Sequence, residues 1–210
     1  MAIVVIGTVF VDIKGFPDDN YIPGGRNAGR VETVHGGVGR NVAEDIANVE
    51  LRPRFVSMVD DSAEGAEVLR KLKNHKVDTS CVLTVPDSMG MWLAVFDETG
   101  DIVASISKRP AMDALAQMIE ERGDEIFADC DSIVLEIDLD KEIIKSVFKY
   151  AEKYHKRVYA VVANMSIASQ RRDFLQSIDC FVCNAEEADI LFVSDMQELE
   201  PEELCEELSK

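Results

Sequence analysis

"HGGVGRNVAEDIANV", His35–Val49, places three glycines within four residues and runs straight into an apolar-periodic segment. Glycine loses more backbone entropy on folding than any other residue, so the cluster marks a turn the chain requires. Val42, Ile46 and Val49 fall on one stripe at helical spacing, which predicts a helix from Asn41 to Val49. The turn feeds a helix N-terminus, where free amides and the helix dipole favour oxygen-rich or anionic groups. Gly36, Gly37 and Gly39 would let a ligand approach the backbone, and Asn41 both donates and accepts, which suits vicinal hydroxyls. No Gly-Lys-Ser/Thr follows, and Val42 occupies the third glycine position of a dinucleotide fingerprint, so this is neither a Walker loop nor a good Rossmann fingerprint. On these residues alone, a ligand turn and a merely tight strand–helix connection both stay open.

Outward from the turn, strands and helices alternate. "AIVVIGTVFV" reads as a first strand buried on both faces, with Asp12 at its end. Open α/β sheets place ligands there, so Asp12 is either a carboxylate for sugar hydroxyls or a loop cap. "GFPDDNYIPGGRNAGR" is loop or small-subdomain sequence. "RFVSMV" is a strand, and Asp61 or Ser62 caps a helix with Ala66, Leu69 and Leu72 on its apolar face. Then "SCVLTV", "MGMWLAVF" and "IVASIS" follow one another without a helix, which predicts a second, partly exposed sheet.

Alternation resumes after Pro110, a first-turn residue for the helix in "AMDALAQMIEERGDEIF". Strands "SIVLEI", "VYAVVA" and "CFVCN" are separated by helices in "DKEIIKSVFKYAEKY" and around "ASQRRDFLQS". An acidic helix over Glu187–Phe192 and another in "EPEELCEELSK" end the chain. Such spacing predicts parallel βαβ units covered by helices on both faces.

A chain of 210 residues buries roughly 70% of its unfolded surface and needs no disulfide or metal for a core. The net charge of −18 argues against a nucleic-acid backbone or an anionic membrane as partner. The five cysteines are odd in number and scattered, as in a reduced compartment. The N-terminus lacks a basic n-region and no apolar run reaches membrane length, which predicts a cytoplasmic protein.

Further candidates stand on strand ends. Glu136 lies in a buried-looking strand and asks for a partner, whereas Asp138 and Asp140 read as turn and cap residues. Asn184 precedes Glu186, Glu187 and Asp189, a set that would either order water around Mg²⁺ or form an acidic first helical turn. Cys180 and Cys183 point to opposite faces of a strand, which argues against a redox pair. His35, His75 and His155 lack metal-ligand spacing. Trp92 and Phe96 either pack on the extra sheet, meet a subunit or support a base.

Asp12, "GGVGRNVAEDIANV", "SMVDDSAEG", "VDTS", Glu136 and "NAEEADIL", in this order, resemble the ribokinase-like (pfkB) carbohydrate kinases, and within them the pseudouridine kinases, over nearly the whole chain. The resemblance implies a three-layer αβα domain over residues 1–210, mostly parallel, with a small β-sheet lid from about 11–35 and 81–107 through which relatives dimerise. It implies that Asp12, Gly36, Gly37, Gly39 and Asn41 bind sugar hydroxyls, that Glu136 approaches the sugar, and that Asn184 and Glu187 organise Mg²⁺ and phosphate through water. The implied reaction is γ-phosphoryl transfer from ATP to a sugar or nucleoside hydroxyl of a pseudouridine or ribose-like acceptor.

Asp60 stands where the family often has glycine, Ser62 where it often has aspartate, and "AVVANMSIA" replaces an Asp-Pro segment. The family's Gly-Ala-Gly-Asp motif, whose aspartate is the catalytic base and whose glycines form the anion hole, has no match. The sequence is thus expected to be C-terminally incomplete, to carry the acceptor-binding part, and to be inactive alone. The alternative is a non-catalytic sugar-binding or dimerising remnant of a kinase.

Overall fold

The apolar strands share their side chains between two helical layers. The computed structural model describes residues 2–192 and Glu203. The main sheet takes β1 (Ala2–Ile6), β4 (Arg52–Val59), β5 (Asp78–Thr84), β8 (Ser132–Glu136), β9 (Arg157–Val161) and β10 (Cys180–Val182) in the order β10-β9-β8-β1-β4-β5. Every pairing in it is parallel. Between these strands run α1 (Val38–Asn48), α2 (Ala63–Asn74), α3 (Asp113–Phe127) and α4 (Lys141–Tyr154). Side chains alternate across a strand. Val4 and Ile6 of β1, with Val56 and Met58 of β4, join the core under α3 and α4. Val5, Phe55 and Val59 join Ala43, Val68 and Leu72 in a second core under α1 and α2. The result is the expected αβα sandwich.

A four-stranded sheet, ordered β3-β2-β6-β7, stands beside it, built from β2 (Phe10–Pro17), β3 (Gly29–Gly36), β6 (Gly90–Phe96) and β7 (Ile102–Lys108). Two strand expectations change. The run read as one first strand breaks at Gly7–Val9, so Asp12 belongs to β2 of the second sheet, not to the end of the first strand. Ser57 Oγ donates to the Gly7 carbonyl at 2.6 Å, and a Cβ on Gly7 would come within 2.6 Å of Glu136 Oε2, so the turn is fixed by groups distant in sequence. The strand containing Cys81, expected in the lid, pairs in parallel with β4 (Val56 with Cys81, Met58 with Leu83) and extends the main sheet.

Helix bounds shift for local reasons. Helix α1 starts at Val38, and Val49, placed on its buried stripe, is its 68% exposed C-cap. Ser62 caps α2 by accepting from Gly65 N at 3.1 Å, but Ala66 is exposed while Gly65, Val68 and Leu72 face the core. Pro110 precedes α3, which begins at Asp113. Beyond β9 come α5 (Met165–Ala168), a 3₁₀ turn (Ser169–Arg171), α6 (Arg172–Leu175) and α7 (Ala185–Phe192). The helix expected in "EPEELCEELSK" lies outside the described residues except for Glu203.

Candidate active site

The glycine turn uses its glycines in three ways. Gly37 is the N-cap of α1 at φ 97°, a conformation that L side chains rarely adopt. A Cβ on Gly36 would come within 2.4 Å of Asp12 Oδ1, so the missing side chain makes room for that carboxylate. A Cβ on Gly39 would lie 2.6 Å from the Gly7 Cα, so α1 crosses the β1–β2 turn at backbone contact. Arg40 strengthens the entry: its guanidinium donates to the His35 carbonyl and pairs with Glu44.

These elements border a cavity of about 390 Å³ between the two sheets. Cross-strand register decides the second sheet's contribution. Asp12 pairs with Trp92, and Trp92 with Ser107, so all three share one face. That face, with Phe10 and Ser105, is one wall. Thr8, Gly37, Val38 and Asn41 line the cavity from the β1–β2 turn and the start of α1. Arg109, Glu136, Asp138 and Asn164 line it from the C-terminal ends of the main-sheet strands and the segment after β7. Open α/β sheets expose ligand sites at such strand ends. Gly36 and Gly39 stand behind the lining and shape it through Asp12 and Gly7.

Three carboxylates meet this space in different states. Asp12 is half-buried; burial raises its pKa, against the opposing charges of Lys14 and Arg40. Glu136 is 1% exposed and accepts from Thr8 N at 2.9 Å, Thr8 Oγ1 at 2.8 Å and Gly39 N at 3.1 Å. Burial pushes its carboxyl up to about 7, the charge of Asp138 adds to this, and the Thr8 and Gly39 hydrogen bonds oppose it. Asp138, read from the sequence as a turn residue, is buried: it accepts from Ala163 N at 3.0 Å and faces Arg109 across 3.8 Å. Burial raises the Asp138 pKa, and the Ala163 amide and Arg109 counter it. Arg109 also donates to the Asp138 carbonyl at 2.7 Å.

Residues 2–210 match the pfkB family carbohydrate kinases. The chain belongs to this family. It is 34% identical over 190 residues to a guanosine-inosine kinase of Exiguobacterium acetylicum, covering 90% of this chain and 63% of that protein. It is 26% identical over 136 residues to the pseudouridine kinase of Escherichia coli K12, covering 61% and 44%. This pfkB chain spans less than two thirds of the length of these curated relatives. Among solved structures, the ribokinase of Arabidopsis thaliana complexed with ribose and ATP superposes with a TM-score of 0.76 at 21% identity, covering 100% of this chain and 68% of that one. That likeness fixes the fold.

In the pfkB chain, Asn184 and Glu187 do not line the cavity. They cap α7 reciprocally: Asn184 N donates to Glu187 Oε2 at 2.9 Å and Glu187 N to Asn184 Oδ1 at 2.8 Å. Among the described residues no group of three His, Cys, Asp or Glu is placed to hold a metal. Cys180 and Cys183 carry free thiols. No helix among the described residues is long and apolar enough to cross a membrane.

Sequence reasoning missed Thr8, Phe10, Ser105, Ser107, Arg109 and Asn164 as cavity residues. Period-two spacing offered one usable signal: Asp138 is two residues from Glu136 and so shares its side of the chain. Arg109 had none, because only the meeting of the two sheets places it against Asp138.

Proposed function

We propose that this chain carries the acceptor site of an ATP-dependent kinase for a nucleoside or other ribose-like hydroxyl compound, with guanosine, inosine and pseudouridine as the first acceptors to test. The observation that carries the reading is Asp12 paired in register with Trp92 on the cavity wall opposite Gly37 and Asn41. A carboxylate accepts from two vicinal hydroxyls, and the Asn41 amide serves both donor and acceptor roles on a ribose. Trp92 and Phe10 offer aromatic area that free ribose does not use and a base does. The names of the two curated relatives support a nucleoside acceptor.

ATP supplies the phosphoryl group in this reading, and hydrated Mg²⁺ neutralises its charge. Asn184 and Glu187 are the residues proposed to orient the ion through water. Their reciprocal cap engages one oxygen of the Glu187 carboxylate, leaving the other for a metal-bound water, which fits the water-mediated role. No general base is assigned to the 210 residues, so the chain alone is proposed to bind acceptor without turning over.

The second sheet is proposed to act as the lid and as a dimer contact. Its outer face carries Val31, Met91, Leu93 and Ile106, which are 71%, 42%, 40% and 70% exposed. Free thiols support a reducing compartment, the cytoplasm.

Calorimetric titration of the 210-residue chain with guanosine, inosine, pseudouridine and ribose, followed by incubation with ATP and Mg²⁺, tests the reading. Saturable nucleoside binding tighter than ribose, lost in Asp12→Ala, is expected. Binding of none of the four overturns the acceptor site, and multiple turnover overturns the claim that the chain is inactive alone.

A further inference from the structure

Trp92 and Phe96 are four residues apart on β6 and share one side of it, because side chains alternate along a strand. Trp92 lines the cavity and Phe96 does not. The two rings meet edge to face, with centroids 6.4 Å apart and planes at 89°. Phe96 in turn stacks on Phe16 of β2, at 4.7 Å and 13°. The Arg30 guanidinium of β3 lies 4.3 Å from the centre of the Phe16 ring. Arg30 pairs with Phe16 in register, so this ladder crosses three strands before it turns along β6 to the cavity. Between the two β6 rings stands Ala94, which is 0% exposed in a sheet whose residues are mostly half-buried or exposed. A methyl group there lets the rings meet above it. Lys14 pairs with Ala94 across β2 and β6 and holds its ammonium 5.9 Å from the centre of the Trp92 ring. Such contacts are favourable because a positive ring edge or a cation meets a negative ring face.

We propose that Phe96 is a positioning residue for the base of the acceptor: it holds the Trp92 ring in one orientation at the cavity wall, so that preference for a nucleoside over bare ribose is set by an aromatic ladder outside the cavity. The proposal rests on the acceptor-site reading above. Asp12 and Trp92 are cross-strand neighbours, so a ribose held by Asp12 brings its base to the indole. On a sparsely covered sheet a free tryptophan side chain would exchange rotamers, and a ligand that needs one of them would bind more weakly by the cost of ordering it. The ladder removes that cost before the ligand arrives. Phe96 acts through Trp92 alone and leaves the ribose contacts of Asp12 and Asn41 untouched.

Trp92 is the only tryptophan in the chain, so indole fluorescence reports this ring alone. The test compares wild type, Phe96→Leu, Phe96→Tyr and Phe16→Leu as 210-residue chains, at a temperature where circular dichroism shows each folded. The anisotropy decay of the free protein is read beside the affinities for guanosine, pseudouridine and ribose. Phe96→Leu keeps apolar volume and loses the ring. It is expected to add a fast component to the decay and to weaken the tighter nucleoside by about fivefold or more, the worth of one aromatic pair. Ribose affinity is expected to stay within about twofold. Phe96→Tyr, which keeps the ring, is expected to behave as wild type. Phe16→Leu, one ring further from the cavity, is expected to show a smaller loss in the same direction. A purely structural role would lower the melting temperature and leave the selectivity of folded protein alone. Nucleoside affinity within about twofold of wild type in a folded Phe96→Leu, or in Phe16→Leu if Phe96→Leu does not fold, overturns the proposal, and so does a ribose affinity that falls in parallel. Should wild type bind none of the three ligands, or bind nucleosides no tighter than ribose, the acceptor reading fails and the proposal falls with it.

Discussion

The two sheets solve the burial problem differently. In the six-stranded sheet both faces are covered, and Val5, Ile6, Phe55, Val56, Ile133 and Leu135 are all 0–1% exposed. In the four-stranded sheet, β7 is exposed along its whole length and β3 along most of it. One face of that sheet presents Asp12, Trp92, Ser105 and Ser107 to the cavity, and the other presents Val31, Leu93 and Ile106 to solvent. Apolar burial stabilises in proportion to area removed from water, so the first sheet holds the fold. The second contributes polar and aromatic groups to a site that the first sheet only floors. The cavity lies at the seam between a well-packed sheet and a sparsely covered one.

The comparison breaks most visibly in the core. Phe55 lies at 0% exposure between β1, α1 and α2. Phe55→Ala is expected to cost about 3–5 kcal/mol in denaturant unfolding, and a cost below that of a surface substitution would contradict the assignment of stability to the six-stranded sheet.

Proton linkage is the next effect. The Glu136 carboxyl, with Asp138 and its Arg109 partner beside it, is held up to about 7 in the folded protein against an ordinary 4.5. Between those values the native state keeps a proton that the unfolded chain has released. The contribution of this group to stability is therefore largest at low pH, falls as pH rises across that window, and levels off above about 7. Melting temperatures of wild type against Glu136→Gln should converge as the pH is lowered through the window; a difference independent of pH would assign the shift elsewhere.

On the cavity wall, Trp92→Ala is expected to weaken nucleoside binding by about tenfold to a hundredfold, with much less change for ribose. Equal losses for both would remove the base-stacking role. The smallest effect on stability belongs to the outer face, where Ile106→Lys should change unfolding free energy by less than about 0.5 kcal/mol. It should nevertheless abolish the proposed dimer in sedimentation, and a wild type that is monomeric or an unchanged oligomeric state would argue against this face as the contact.

The glycine turn, the αβ alternation and the second sheet were legible because each is a local pattern. Ser62 announced its helix, and Glu136 announced that a buried carboxylate needs partners. Its partners were not legible: Thr8 is 128 residues away and carries no motif. Asn184 and Glu187 show the opposite case, since the same letters allow either a metal shell or an acidic helix start, and the fold draws a reciprocal cap between them. Cys81 misled because a strand followed by two hairpin strands looks like a meander, whereas pairing with β4 lets it bury 98% of its surface in the main sheet's core.

By itself, then, the sequence determined the parallel α/β class and the turn that opens α1, because periods of two and 3.6 and glycine's freedom act over a few residues. Its ordered motifs carry the resemblance to the family to which the chain belongs. Only the tertiary structure decided which sheet owns Asp12, which carboxylate caps α1, and that Arg109 and Asp138 share the cavity. Those outcomes depend on which distant segments meet, and a buried polar group takes whatever partner the packing brings within hydrogen-bond reach.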